Sequence, residues 1–233
     1  MKAIILAGGL GTRISEETDS KPKPMVLLDD KPIIWHLMNT FAHQGVSEFV
    51  IATGYLGHVI HEWVESIETK WKIKALDTGT NSMTGGRIQQ CMEYIGDERV
   101  FATYGDGLAN INLGKLLSFH EHQGRMATVT AVRPPARFGV LEASNGLVTN
   151  FGEKRQADAG WINGGFFVLE PEVKGFIQSG DEPFETGALP RLVAQCELSA
   201  FEHSDFWQPM DTLRERNELS QLASLPTPPW LLS

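Results

Sequence analysis

Short apolar runs alternate with amphipathic stretches through positions 1–132. Lys2–Leu6 reads as a buried strand that turns at once into glycines. Pro32–His43 opens with proline and carries Ile33, Leu37 and Phe41 at helical spacing, which predicts a helix. Glu48–Thr53, Ile73–Leu76, Val100–Tyr104 and Ala127–Val132 read as strands. His58–Ile67, Met83–Ile95 and Leu113–His122 read as helices between them. This rhythm predicts an α/β fold, with a Rossmann-like, mixed, mostly parallel sheet flanked by helices. Ligands of such sheets bind beyond the carboxyl ends of the strands. The loops after Leu6, Leu76 and Tyr104 are therefore where chemistry is expected.

The pattern changes after Pro134. Phe138–Glu142, Leu147–Glu153 and Trp161–Leu169 read as strands with no helix between them, and Asn145-Gly146 is a hairpin turn signal. Pro171–Ile177 and Glu185–Gln195 read as helices, Leu198–Phe201 as a strand, and Thr212–Leu222 as a final helix capped by Asp211 or Thr212. The expectation is one domain over 1–233. Its 1–132 half alternates strands and helices, and its smaller 133–233 half is β-rich.

Composition narrows the function classes. Lys and Arg number 20 against 29 Asp and Glu, a formal net charge of −9 with no basic run, which argues against nucleic acid as a partner. Placed cations can still bind small anions. Cys91 and Cys196 are too far apart in sequence for a metal motif or disulfide framework, so a reducing cytoplasm is expected. The N-terminal apolar run is too short for a signal peptide, and no stretch is long enough to span a membrane.

The segment Leu6-Ala7-Gly8-Gly9-Leu10-Gly11-Thr12-Arg13 follows the first strand. Glycines let backbone approach a phosphate, and consecutive N–H groups can form an anion nest; a plain tight turn is the other reading. It is not a Walker A loop, because Gly11 precedes Thr12-Arg13 rather than Lys followed by Ser or Thr. It is not a dinucleotide fingerprint, because Ile14 stands where a third small residue is needed. Arg13 could grip phosphate oxygens bidentately. Two prolines in Lys21-Pro22-Lys23-Pro24 should keep that stretch extended and hold Lys23 over phosphate. Asp106, between Gly105 and Gly107 at a strand's end, could hold Mg²⁺. Asp211 could do the same or cap the last helix, and Lys154 ends a strand.

With Ala3–Arg13, Ser15–Thr18, Lys21–Val26, Lys31–His36, Asp77–Arg87, Tyr104–Gly107, Arg137–Gly139, Ile162–Leu169 and Phe206–Arg214, the chain resembles the sugar-1-phosphate nucleotidyltransferases over nearly its whole length. The SEET/KPKPM, TGG and FWQPMDTLR blocks resemble the cytidylyltransferase branch. The resemblance implies the nucleotide-diphospho-sugar transferase fold. It implies that Leu6, Ala7, Gly8, Gly9 and Gly11 grip base and phosphates. Thr12 and Arg13 would bind the triphosphate, and Lys23 would act with Arg13 at the reacting end. Asn81, Gly86 and Gly105 would lie along the nucleotide, and Asp106 and Asp211 would ligate Mg²⁺. Lys154 would meet the sugar phosphate, with Asn163, Gly164 and Glu185 near the sugar. The implied reaction is CTP plus glucose 1-phosphate giving CDP-glucose and pyrophosphate.

Some positions depart from the family pattern. The stretch between Trp63 and Asp77 is shorter, so a homo-oligomer is allowed rather than implied. Arg155 follows Glu153-Lys154 where the family has proline, and Gly187 replaces an acidic residue. Two further readings follow: a different sugar phosphate or non-sugar phosphorylated acceptor, and a catalytically silent nucleotide-binding regulatory domain.

Overall fold

The computed structural model describes residues 1–11, 14–134, 139–144, 147–153 and 160–232, with backbone alone for 15–16, 139–144 and 150–153. In chain order the first half runs β1 (Lys2–Leu6), α1 (Ser15–Thr18), a 3-10 turn (Lys23–Met25), β2 (Leu27–Leu28), β3 (Lys31–Pro32), α2 (Ile33–His43), β4 (Glu48–Thr53), α3 (Gly57–Ser66), β5 (Lys72–Asp77), α4 (Thr84–Ile95), β6 (Val100–Tyr104), β7 (Gly107–Ala109), α5 (Leu113–Gln123) and β8 (Ala127–Val132). The second half runs β9 (Gly139–Ser144), β10 (Leu147–Glu153), β11 (Ile162–Asn163), β12 (Phe167–Leu169), a 3-10 helix (Pro171–Phe176), α6 (Ala188–Ala194), β13 (Leu198–His203), β14 (Trp207–Pro209) and α7 (Leu213–Ala223).

The central sheet runs β11-β8-β12-β6-β1-β4-β5, with β13 on the other side of β8. β1 pairs in parallel with both β4 and β6, β4 with β5, and β8 with β13, while β11 and β12 run antiparallel to their neighbours. The chain leaves β1 towards β4 and returns past it to β6. The strand order therefore reverses between β1 and β6, where open sheets of this kind bind ligands.

Period-two alternation sends the two faces of each strand to different helices. Ala3 and Ile5 pack with Leu37, Met38 and Phe41 of α2 and Leu116 of α5. Ile4 and Leu6 pack with Ile88 and Met92 of α4 and Leu192 of α6. A strand covered on both sides must be apolar throughout, which is why KAIIL has no polar–apolar alternation.

The structure departs from the sequence reading in four places. Trp161–Leu169 is not one strand. Gly165 and Phe166 take positive φ (76° and 47°), and the chain breaks between β11 and β12. The KPKP stretch is not wholly extended: Pro22 is (ψ 151°), but Lys23–Met25 closes a 3-10 turn with Pro24 in its first turn, where no N–H is required. The helix expected from Glu185 starts at Ala188. Residues before it close turns instead, with Gly187 N donating to Pro183 O at 2.9 Å. Pro171–Phe176 is 3-10 rather than α. Of the expected Phe138–Asn145-Gly146 hairpin, Phe138 and the turn lie outside the described residues, while β9 and β10 pair antiparallel on either side of the turn.

Candidate active site

The glycine loop leaves β1 at the point where the strand order reverses. Ala7 N–H continues the ladder to Ala52 O at 2.9 Å, and Gly11 takes a positive φ of 65°. A cavity of about 610 Å³ opens over the loop, lined by Leu6–Gly11, Lys23, Thr80–Thr84, Arg87, Tyr104, Asp106 and Asp211. A nucleoside triphosphate is of a size to fit such a space.

Arg87 builds this cavity from beneath. It projects from α4, is 4% exposed, and its guanidinium donates to four oxygens. These are Gly8 O at 2.9 Å, Thr53 O at 2.8 Å, Thr78 Oγ1 at 2.6 Å and Thr80 O at 3.4 Å. The glycine loop and the loop after β5 are thus tied to one side chain. Gly8 must be glycine for this reason: a Cβ there would lie 2.1 Å from the guanidinium. Burial lowers the Arg87 pKa from its ordinary value, with Asp77 opposing the shift. Arg87→Met would strand these carbonyls in a buried site. It should destabilise the fold by about 2–4 kcal/mol and loosen both loops that line the cavity. A thermal melt matching wild type would contradict this role.

The two aspartates come together through a short ladder. β14 pairs antiparallel with β7, placing Pro209 opposite Gly107, and Met210 N–H donates to Asp106 O at 2.8 Å. Thr212 caps α7 by accepting from Glu215 N–H at 3.2 Å. The cap is therefore Thr212 rather than Asp211, whose carboxylate turns to the cavity. Lys23 Nζ stands between the pair, 2.6 Å from Asp106 Oδ2 and 2.8 Å from Asp211 Oδ1. Burial alone would lower the Lys23 pKa, but the two carboxylates outweigh it and raise it, so the ammonium stays charged. Two carboxylates thus converge on one cation position at the mouth of the cavity.

A second cavity, of about 670 Å³, lies on the other side of the same aspartates. Its lining includes Asn163, Gly164, Glu185 and Trp207, together with Tyr104, Asp106 and Asp211, which it shares with the first. The Trp207 indole N–H donates to Gly164 O at 2.8 Å and fixes that wall.

Of the residues singled out from sequence, Leu6–Gly11, Lys23, Asn81, Asp106 and Asp211 line the first cavity, and Asn163, Gly164 and Glu185 the second. Gly105 and Gly86 sit behind the walls. Gly105 N–H donates to Leu6 O at 2.9 Å, and a Cβ on Gly86 would lie 2.2 Å from Gly180 O, so each serves close packing. Thr12, Arg13, Lys154 and the Arg137-Phe138 part of the Arg137–Gly139 block lie outside the described residues. Sequence reasoning passed over Arg87, Tyr104 and Thr84 as site residues. All three stood in the quoted blocks, but nothing in spacing marks a buried Arg, a bridging Tyr or its Thr partner.

A cavity at the switch point of a mixed α/β sheet meets a second cavity across paired carboxylates, an arrangement that can hold two ligands side by side. The chain belongs to the nucleotidyl transferase family, whose profile matches residues 2–214. It is 44% identical to the glucose-1-phosphate cytidylyltransferase of Salmonella typhi, over 99% of this chain and 98% of that one. That alignment spans 253 positions, so the relative carries residues that this 233-residue chain lacks. A probable glucose-1-phosphate cytidylyltransferase of Bacillus subtilis is 41% identical, over 95% of this chain and 96% of its own. Among solved structures, HddC from Yersinia pseudotuberculosis complexed with GMP-PN shares the fold at a TM-score of 0.73 and 23% identity, covering 94% of this chain and 98% of that one. Among the described residues no helix is long and apolar enough to cross a membrane.

Proposed function

We propose that this chain transfers CMP from CTP to glucose 1-phosphate, releasing pyrophosphate and CDP-glucose, with Mg²⁺ as its cation. The observation that carries a transfer reaction is the meeting of the two cavities at Tyr104, Asp106 and Asp211. The names of the Salmonella and Bacillus relatives supply the substrates.

Asp106 and Asp211 offer hard oxygen donors that already converge on a cation, the Lys23 ammonium. Two carboxylates completed by substrate phosphates suit Mg²⁺, which keeps few protein ligands. Bound there, Mg²⁺ would neutralise charge on the phosphate oxygens. Leu6–Gly11 would cradle the triphosphate, with Thr12 and Arg13 on its phosphates and Asn81 along the nucleoside. Lys154 would meet the acceptor's phosphate, while Asn163 and Glu185 take its hydroxyls. An acceptor phosphate oxygen forms the new bond to the α-phosphorus as the bond to the leaving pyrophosphate breaks. That oxygen is already anionic, so no general base is required; charge neutralisation and in-line alignment are. This fits a site whose described lining holds carboxylates, Lys23 and Arg87 but no histidine. The reading extends to the cytoplasm, whose reducing conditions suit Cys91 and Cys196 as free thiols.

The test is a matrix of nucleoside triphosphates against phosphorylated acceptors with Mg²⁺, followed by pyrophosphate release. CTP with glucose 1-phosphate should be the best pair. A better pair with another acceptor would overturn the acceptor assignment. CTP binding without turnover on any acceptor would favour a regulatory domain.

A further inference from the structure

One polar network runs between the two cavities. Glu185 lines the second cavity and Thr84, at the start of α4, lines the first. Glu185 Oε1 accepts from the Tyr104 hydroxyl at 2.5 Å, and Glu185 Oε2 accepts from Thr84 Oγ1 at 2.6 Å. Thr84 Oγ1 in turn accepts from Phe184 N–H at 2.8 Å, so its own hydrogen is directed at the carboxylate. Asn163 Nδ2 donates to the Tyr104 oxygen at 3.0 Å, while Asn163 Oδ1 accepts from Gly165 N–H at 2.9 Å, which fixes which way the amide points. The Tyr104 ring stands edge-on to Phe167, and a Cβ on Gly165 would come within 2.9 Å of it, so the ring has little room to swing.

From this geometry we infer that Tyr104 and Thr84 are positioning residues: they lock Glu185 and Asn163 in the orientation that receives the acceptor, and tie that orientation to the nucleotide cavity. The inference rests on the second cavity being the acceptor site. Tyr104 cannot offer its hydrogen to a ligand, because it is committed to Glu185. A carboxylate held by two donors from opposite sides has lost its rotational freedom before the acceptor arrives, which is the preorganisation that tight positioning needs. Thr84 begins the helix whose first turn lines the first cavity, so one side chain touches both that cavity and Glu185.

Tyr104→Phe keeps the ring packing and removes only the hydroxyl. It should raise the acceptor KM about tenfold, the effect of one hydrogen bond lost to a charged group, while the CTP dissociation constant measured by calorimetry stays within about twofold. Thr84→Val should raise acceptor KM in the same direction, and Thr84→Ser should restore it. In a Glu185→Gln background Tyr104→Phe should add little, because both act through one carboxylate. Equal shifts in CTP affinity and acceptor KM, an unchanged KM, or a full tenfold effect persisting in that background would each overturn the assignment. A readout that needs no turnover separates this inference from the reaction itself. The Tyr104 hydroxyl proton, observed by NMR without substrates, should shift in Glu185→Gln and in Thr84→Val. An unmoved resonance overturns the network. A wild-type protein that turns over nothing, with the resonance shifting, speaks against the proposed reaction alone.

Discussion

Asp106→Asn and Asp211→Asn should each lower turnover about 10³-fold with little change in thermal stability. Each removes one of two carboxylates that converge on the cation position. The stabilisation of developing charge by a bound metal amounts to several kcal/mol, and each 1.4 kcal/mol is about a factor of ten. Stability should hold because Lys23 keeps the remaining partner, and both carboxylates are partly exposed, at 33% and 21%. The backbone of Asp106 stays pinned by the Met210 N–H, and α7 keeps its Thr212 cap. The checks are steady-state kinetics at saturating Mg²⁺ and a thermal melt. Turnover near wild type in either variant would mean that the metal sits elsewhere.

Lys23→Met should cost about 10²–10³-fold in turnover, a charge-stabilising donor's usual contribution at a transition state. It should also do something that simple damage would not. The Lys23 ammonium stands between Asp106 and Asp211, so a divalent ion held by both carboxylates would have to displace it. Removing it leaves two like charges facing each other. Mn²⁺ should then bind the nucleotide-free variant more tightly than wild type, and the variant's melting temperature at low salt should recover on adding the ion. Titration of Mn²⁺ by EPR reads the first effect directly. Weaker Mn²⁺ binding in Lys23→Met would contradict the exchange.

The frame of the fold was legible because parallel strands buried on both faces are written as uninterrupted apolar runs. β1, β4, β6 and β8 span the residues that their apolar stretches predict. The site was legible only in its parts. Gly8, Gly11, Asp106 and Lys23 stand out by residue type and by following strands or prolines. What brings Asp211 to Asp106 is a pairing of two three-residue strands, β7 and β14, lying about a hundred residues apart in the chain. Strands that short carry no periodic signal. The choice between Asp211 and Thr212 as helix cap was likewise open in sequence, since both side chains cap well. Tertiary pairing settled it by drawing Asp211 to Lys23. The KPKP stretch was misjudged because proline excludes a helix interior but suits a first turn. Arg87 was invisible as a buried group because arginine is usually exposed; only the convergence of four oxygens makes its burial tolerable.

In the proposed reaction one nucleotidyl group passes between ligands held in two cavities across Asp106 and Asp211. Phosphorus NMR of the protein with CTP, Mg²⁺ and glucose 1-phosphate tests it most directly. Pyrophosphate and the paired signals of CDP-glucose should grow equally, with no free CMP. Release of CMP with pyrophosphate, or CTP left intact beside every phosphorylated acceptor, would contradict it.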